Sequence, residues 1–119
     1  MNKKAIITSI SGTILTKSEL NLIKRYKPWG IILFKRNISS FKQLKNLIKT
    51  IKKTTKDKKF PIMIDEEGGT VCRMINIINN KIYSQKFFAD TYMSNKKIGI
   101  LLYKNYIYSI CSVFRLCLL

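Results

Sequence analysis

Phe60-Pro61-Ile62-Met63-Ile64-Asp65-Glu66-Glu67-Gly68-Gly69 is the stretch that decides how this chain reads. The apolar run from Phe60 to Ile64 is short, is punctuated by proline and fits a strand. Three consecutive acids end it, half of the six Asp and Glu in a chain with 23 Lys and Arg. A strand that ends in a carboxylate and a double glycine places an acceptor where the backbone must turn sharply and leave room for something. This is the one segment that reads as a site.

Two further strands stand upstream. Lys4 to Ile10 is the first, followed by Ser11-Gly12-Thr13. Trp29-Gly30-Ile31-Ile32-Leu33-Phe34 is continuously apolar, as a strand buried on both faces of a parallel sheet would be. Between these two strands, Thr16-Lys17-Ser18-Glu19 has the spacing of a capping box, and Leu15 and Leu20 occupy the positions of a hydrophobic staple. The spacing predicts a helix from Lys17 to about Lys27, stopped by Pro28.

Arg36-Asn37 opens a loop, and Ser39 or Ser40 can cap a second helix. Phe41, Leu44, Leu47, Ile48 and Ile51 fall on one arc of that helix, with Lys42, Lys45, Lys49, Lys52, Lys53 and Lys56 opposite. Val71 to Lys86 reads as irregular, with Asn79-Asn80 as a turn, and a last helix is expected from about Asn95 into the apolar C-terminal segment. The expected order is therefore β-α-β-α-β-loop-α. Such alternation implies parallel strands joined by helical crossovers.

Composition sets the bounds. With 119 residues and 46% hydrophobic content, the chain is one domain or part of one and can form a core. The formal charge of +17 invites a nucleic-acid or anionic-membrane partner. Lysine supplies nineteen of the cations against four arginines, and Ile and Asn are abundant too. That profile is a chain-wide bias, whereas nucleic-acid grooves favour the arginine fork. Cys72, Cys111 and Cys117 have no Cys-x-x-Cys spacing, and the chain has no histidine, which argues against a metal site or other cofactor. Scattered thiols suit a reducing cytoplasm, and Ala5-Ile6-Ile7 is too short for a signal peptide. The apolar stretch from Ile98 to Leu119 is interrupted by Lys104, Asn105 and Arg115, so a buried helix is expected there and no membrane span.

Three motifs carry a family resemblance. Ser11-Gly12-Thr13 with Leu15-Thr16, then Pro28-x-Gly30-Ile31-Ile32-Leu33-Phe34-x-Arg36-Asn37, then Ile64-Asp65-x-Glu67-Gly68-Gly69-x-Val71-x-Arg73 resemble the opening of glycoside hydrolase family 3. The branch they resemble is the bacterial β-N-acetylhexosaminidases, which release N-acetylglucosamine from cell-wall fragments in peptidoglycan recycling. The likeness covers roughly residues 6–75 well and 87–115 loosely.

It implies a (β/α)8 TIM barrel, of which residues 1–119 would be the N-terminal part: an incomplete barrel of roughly three βα units with parallel strands, and 98–119 a C-terminal apolar helix. By resemblance, Asp65 and Arg73 bind substrate, an N-acetylglucosamine-containing saccharide. An ionised carboxylate accepts from sugar hydroxyls and a guanidinium donates to them. Thr70 and Cys72 depart from the family's usual residues without touching those two positions. Glu67 and the glycines read as structural, because a glycosidase pair must flank one bond at about 5 to 9 Å.

The family's retaining mechanism uses an aspartate nucleophile and a mobile loop of the Lys-His-x-Pro-Gly-His-Gly type. This chain has no histidine, its prolines Pro28 and Pro61 are not followed by glycine, and Asp90 lies in no motif. The nucleophile would lie beyond Leu119. The resemblance therefore implies a truncated product with sugar-binding positions, no catalytic residue and no activity alone. Its open sheet edge is expected to self-associate or to take a second fragment that completes the barrel. The alternative is a small basic protein binding nucleic acid or an anionic membrane through the lysines of residues 42–56, which leaves the acidic turn unexplained. A flavodoxin-like domain would share the alternation, but the chain has no Gly-x-Gly-x-x-Gly or P-loop.

Overall fold

The computed structural model describes residues 3–118, and the side chains of the last few lie outside what is described. Its elements are β1 (Lys4–Thr8), α1 (Lys17–Tyr26), β2 (Pro28–Leu33), a 3-10 turn (Lys35–Asn37), α2 (Phe41–Thr55), β3 (Ile62–Ile64), α3 (Gln85–Ser94) and α4 (Lys96–Leu118). The three strands form one sheet in the order β1-β2-β3, and both pairings are parallel. Ile7 registers with Gly30, Ile31 with Ile62, and Leu33 with Ile64.

The first crossover follows its sequence signals. Thr16 Oγ1 accepts from the Glu19 amide at 3.2 Å while Glu19 Oε2 accepts from the Thr16 amide at 2.8 Å. This reciprocal cap satisfies two of the donors that a helix start leaves free. The helix ends on Lys27 in the left-handed region, φ 48°, and Pro28 starts the next strand, where its missing N–H costs least.

The core lies between the sheet and its helices. Ile31 and Leu33 of β2 are fully buried with Ile23 of α1 and with Leu44, Leu47, Ile48 and Ile51 of α2. Val113 of α4 joins the same cluster, and Ile62 and Ile64 of β3 pack against it. Burial on both faces of β2 was expected. Ile31 and Leu33 meet that expectation on one face, although Trp29 at the start of the same face is exposed, and Ile32 on the other face is only half-buried. Phe41, placed on the core arc of α2 by its spacing, is the first residue of the helix and is exposed. The lysines opposite are exposed or half-buried.

The C-terminal third departs further from expectation. Residues Gln85–Ser94 form a helix where an irregular segment and then a single final helix were expected. Ser84 Oγ caps it by accepting from the Phe87 amide at 3.1 Å. None of its side chains is fully buried, so it has no apolar stripe to read. It is held instead by aromatic contacts, with Phe88 5.1 Å from Tyr103 and 5.2 Å from Tyr106, centroid to centroid. The last helix does start after Asn95, whose Oδ1 accepts from the Ile98 amide at 3.1 Å. The expected end of that helix at Leu119 lies outside the described residues. Among those described, no helix is long and apolar enough to cross a membrane.

Candidate functional site

Because the strands are parallel, their C-terminal ends share one edge of the sheet, and the loops that follow them meet there. Asn37, fully buried, ties the first two loops together. Its Nδ2 donates to the carbonyls of Ile10 at 3.0 Å and Gly12 at 2.9 Å, while its Oδ1 accepts from the Phe34 amide at 2.8 Å. Arg36 adds a second tie, donating from Nε to the Ile10 carbonyl at 3.1 Å and from Nη2 to Ser9 Oγ at 3.2 Å.

Asp65 follows β3 directly and stands at this edge. Arg73 reaches back to it: Nε donates to the Asp65 carbonyl at 3.3 Å and Nη2 lies 3.5 Å from the carboxylate Oδ2. The two side chains are 43% and 29% exposed, so the pair is partly sheltered and still open to a ligand. Both expected site residues are thus brought together. The aromatic ring of Phe34 links this pair to the neighbouring loop, with the guanidinium of Arg73 5.6 Å from its centroid and that of Arg36 4.8 Å away.

The acidic triplet divides its work. Asp65 faces Arg73. Glu66 turns inward, and its Oε2 accepts from the backbone amides of Arg73 and Met74, both at 2.8 Å. Met74 is fully buried, so this clamp fixes the arginine's loop to the core. Glu67 turns outward, accepting from Gln85 Nε2 at 3.3 Å. Gly68 and Gly69 take φ of 75° and 60°, as a double glycine at a sharp turn should. Their close approach is to the chain itself: a side chain at Gly68 would strike the carbonyl of Tyr83, and one at Gly69 would meet Ser84 Cβ at 2.9 Å. The glycines therefore make room for the 80s loop. An open depression of about 790 Å³ lies beside this turn, lined by Lys35, Glu67, Gly68, Lys81 and Lys86 among others.

Two groups under the turn have shifted ionisation. The Cys72 thiol is pushed up by burial and by the Glu66 carboxylate, although a backbone hydrogen bond at Asn80 opposes this. The Tyr106 phenol is pushed up to about 12, by burial first and then by Glu66, Cys72 and Tyr103. Cys72 is buried and Cys111 exposed, both as free thiols, while the side chain of Cys117 lies outside the described residues. Among the described residues, no three of His, Cys, Asp and Glu group as a metal site would require. Asp90 pairs with Lys86 at 2.8 Å on the surface of α3. Sequence reading missed Phe34, Asn37 and Glu66 as site-builders. The polar pair Arg36-Asn37 at the end of an apolar strand carried the same kind of signal as Asp65.

No family model matches the chain. Individual proteins do. A β-hexosaminidase of Haemophilus influenzae is 32% identical over 95 residues, which is 80% of this chain and 26% of that protein. A β-hexosaminidase of Histophilus somni is 34% identical over 68 residues, 57% of this chain and 19% of its own length. Among solved structures, NagZ of Neisseria gonorrhoeae in complex with N-trifluoroacetyl-D-glucosamine superposes with a TM-score of 0.55 at 34% identity, covering 64% of this chain and 21% of its own. The chain thus spans roughly a fifth to a quarter of the length of the curated relatives it matches. Over that partial stretch the parallel sheet and its loops are similar to those of a glycoside hydrolase. These relatives support a fragment of a glycoside hydrolase family 3 β-hexosaminidase over that stretch.

Proposed function

We propose that residues 1–119 are the N-terminal part of a family 3 (β/α)8 barrel domain, the first three βα units of an incomplete barrel, and that Asp65 and Arg73 bind an N-acetylglucosamine unit. The Asp65–Arg73 pair at the tip of β3 carries this reading. An ionised carboxylate accepts from adjacent sugar hydroxyls while the guanidinium beside it donates, so the pair offers both halves of a saccharide's hydrogen bonding. The substrate class is a β-linked terminal N-acetylglucosamine on cell-wall fragments, met in the cytoplasm during peptidoglycan recycling.

The chain binds the sugar without cleaving it, since it has no histidine to serve as the family's acid/base group. Among the described residues the outer edges of β1 and β3 are unpaired, and Ile6 and Ile7 of β1 are more than half exposed. These edges support self-association, or a second fragment that completes the barrel.

Saturation-transfer NMR with N-acetylglucosamine, alongside hydrolysis of a chromogenic N-acetylglucosaminide, tests the reading. Binding that is lost in Asp65→Ala, with no turnover by either protein, is the expected result. Equal binding by Asp65→Ala would remove the site, and turnover by the parent chain that Asp65→Ala abolishes would overturn the claim of inactivity.

A further inference from the structure

Among the described residues, three buried polar atoms have no hydrogen-bond partner: Glu66 Oε1, Asn80 Nδ2 and the Tyr106 hydroxyl. Asn80 is 2% exposed and Tyr106 7%. An isolated buried polar atom is costly, so three whose residues meet at one turn call for a shared partner.

Their residues converge on the Gly68-Gly69 turn. A side chain at Gly68 would come within 3.1 Å of the Tyr106 hydroxyl, and the Asn80 carbonyl accepts from the amides of Gly69 at 3.3 Å and Tyr83 at 3.0 Å. The Glu66 carboxylate lies near enough to both to push the Cys72 thiol and the Tyr106 phenol up. The chemistry of the three atoms is complementary. Tyr106 and Asn80 can each donate, Glu66 Oε1 can only accept, and one molecule that takes two bonds and gives one satisfies them all. Water does this, and buried waters typically make about three such bonds.

We propose that one ordered water joins Glu66 Oε1, the Tyr106 hydroxyl and Asn80 Nδ2, and that Glu66, held in this way, is a positioning residue for the Asp65–Arg73 pair. With Oε1 tied to α4 through the water, Oε2 is fixed where it receives the amides of Arg73 and Met74. The position of the Arg73 guanidinium then depends on a helix that touches no sugar. The positioning role rests on the sugar-site reading above, whereas the water does not.

The test is a high-resolution crystal structure of the full chain together with amide hydrogen exchange of the parent, Tyr106→Phe, Glu66→Gln and Glu66→Ala. Expected are a water within about 3.2 Å of all three atoms, and exchange at Arg73 and Met74 accelerated about 10-fold in Tyr106→Phe and Glu66→Ala. Glu66→Gln, which keeps an acceptor for those amides, should restore most of the protection. N-acetylglucosamine affinity should follow the same order. A Tyr106 hydroxyl donating directly to Glu66 with no water between them would overturn the water, and that density is decisive even if the variants fail to fold. Unchanged Arg73 exchange in folded Glu66→Ala would overturn the positioning role. Should the parent chain not bind the sugar, the site reading fails, while density and exchange still decide the water and the clamp.

Discussion

Arg73 holds Asp65 twice, donating from Nε to its carbonyl at 3.3 Å and setting Nη2 3.5 Å from its carboxylate. The backbone contact orients the arginine, and the longer side-chain contact leaves the carboxylate free to exchange it for a ligand hydroxyl. Arg73→Lys keeps the charge and loses the fork. We expect it to weaken N-acetylglucosamine binding about 10-fold. It should shift the urea midpoint little, because a partly exposed ion pair contributes only about 0 to 1 kcal/mol. Titration by NMR and a urea melt separate the two effects; a large loss of stability with intact binding would show a purely structural arginine.

Asn37 is a different case, since it is fully buried and makes three hydrogen bonds that join the loops after β1 and β2. Removing its amide leaves the Phe34 N–H and the Gly12 carbonyl without their partner, while the Ile10 carbonyl keeps only the bond from Arg36 Nε. Asn37→Ala is expected to cost about 2 to 4 kcal/mol, from two or three lost or orphaned bonds at roughly 1 kcal/mol or more each. Equilibrium urea unfolding measures it, and a cost below about 1 kcal/mol would mean that solvent reaches these groups.

Gly68 and Gly12 make a matched pair. At Gly68 φ is 75° and an added methyl strikes the Tyr83 carbonyl, whereas nothing lies within 4 Å of one added at Gly12. Gly68→Ala should therefore destabilise by about 2 kcal/mol or more through strain and displacement of the 80s loop. Gly12→Ala should change stability by less than about 1 kcal/mol. Thermal melts of the two variants test the contrast; equal effects would mean that the turn and the 80s loop are not packed as described.

Much of this fold was legible because the signals were local. Thr16 and Glu19 are three residues apart and cap one helix, and Leu44, Leu47, Ile48 and Ile51 share one face at helical spacing. The place of Asp65 at a strand end was legible because an apolar run stands before it and two glycines follow the acids. The division of labour within Asp65-Glu66-Glu67 was hidden, because it depends on where Arg73, Met74 and Gln85 come to rest. Helix α3 was hidden for a related reason. Phe87 and Phe88 are adjacent in sequence and pack on aromatic residues from Tyr83 and from α4, so no period of 3.6 marks them.

Tyr106 provides a test in solution of that long-range packing. Its phenol is pushed from 10 up to about 12, first by burial and then by the Glu66 carboxylate. The folded state therefore holds the proton through a range in which the unfolded chain has lost it. The stability this group contributes is fully present below pH 10 and is lost as pH rises toward about 12. A shift of that size corresponds to roughly 2 to 3 kcal/mol. Absorbance titration of the six tyrosines should show one phenolate forming last, and Tyr106→Phe should remove that step. Urea stability measured between pH 9 and 11.5 should fall less steeply in Tyr106→Phe than in the parent. Parallel slopes would place the Tyr106 hydroxyl in water and detach α4 from the turn that carries Arg73.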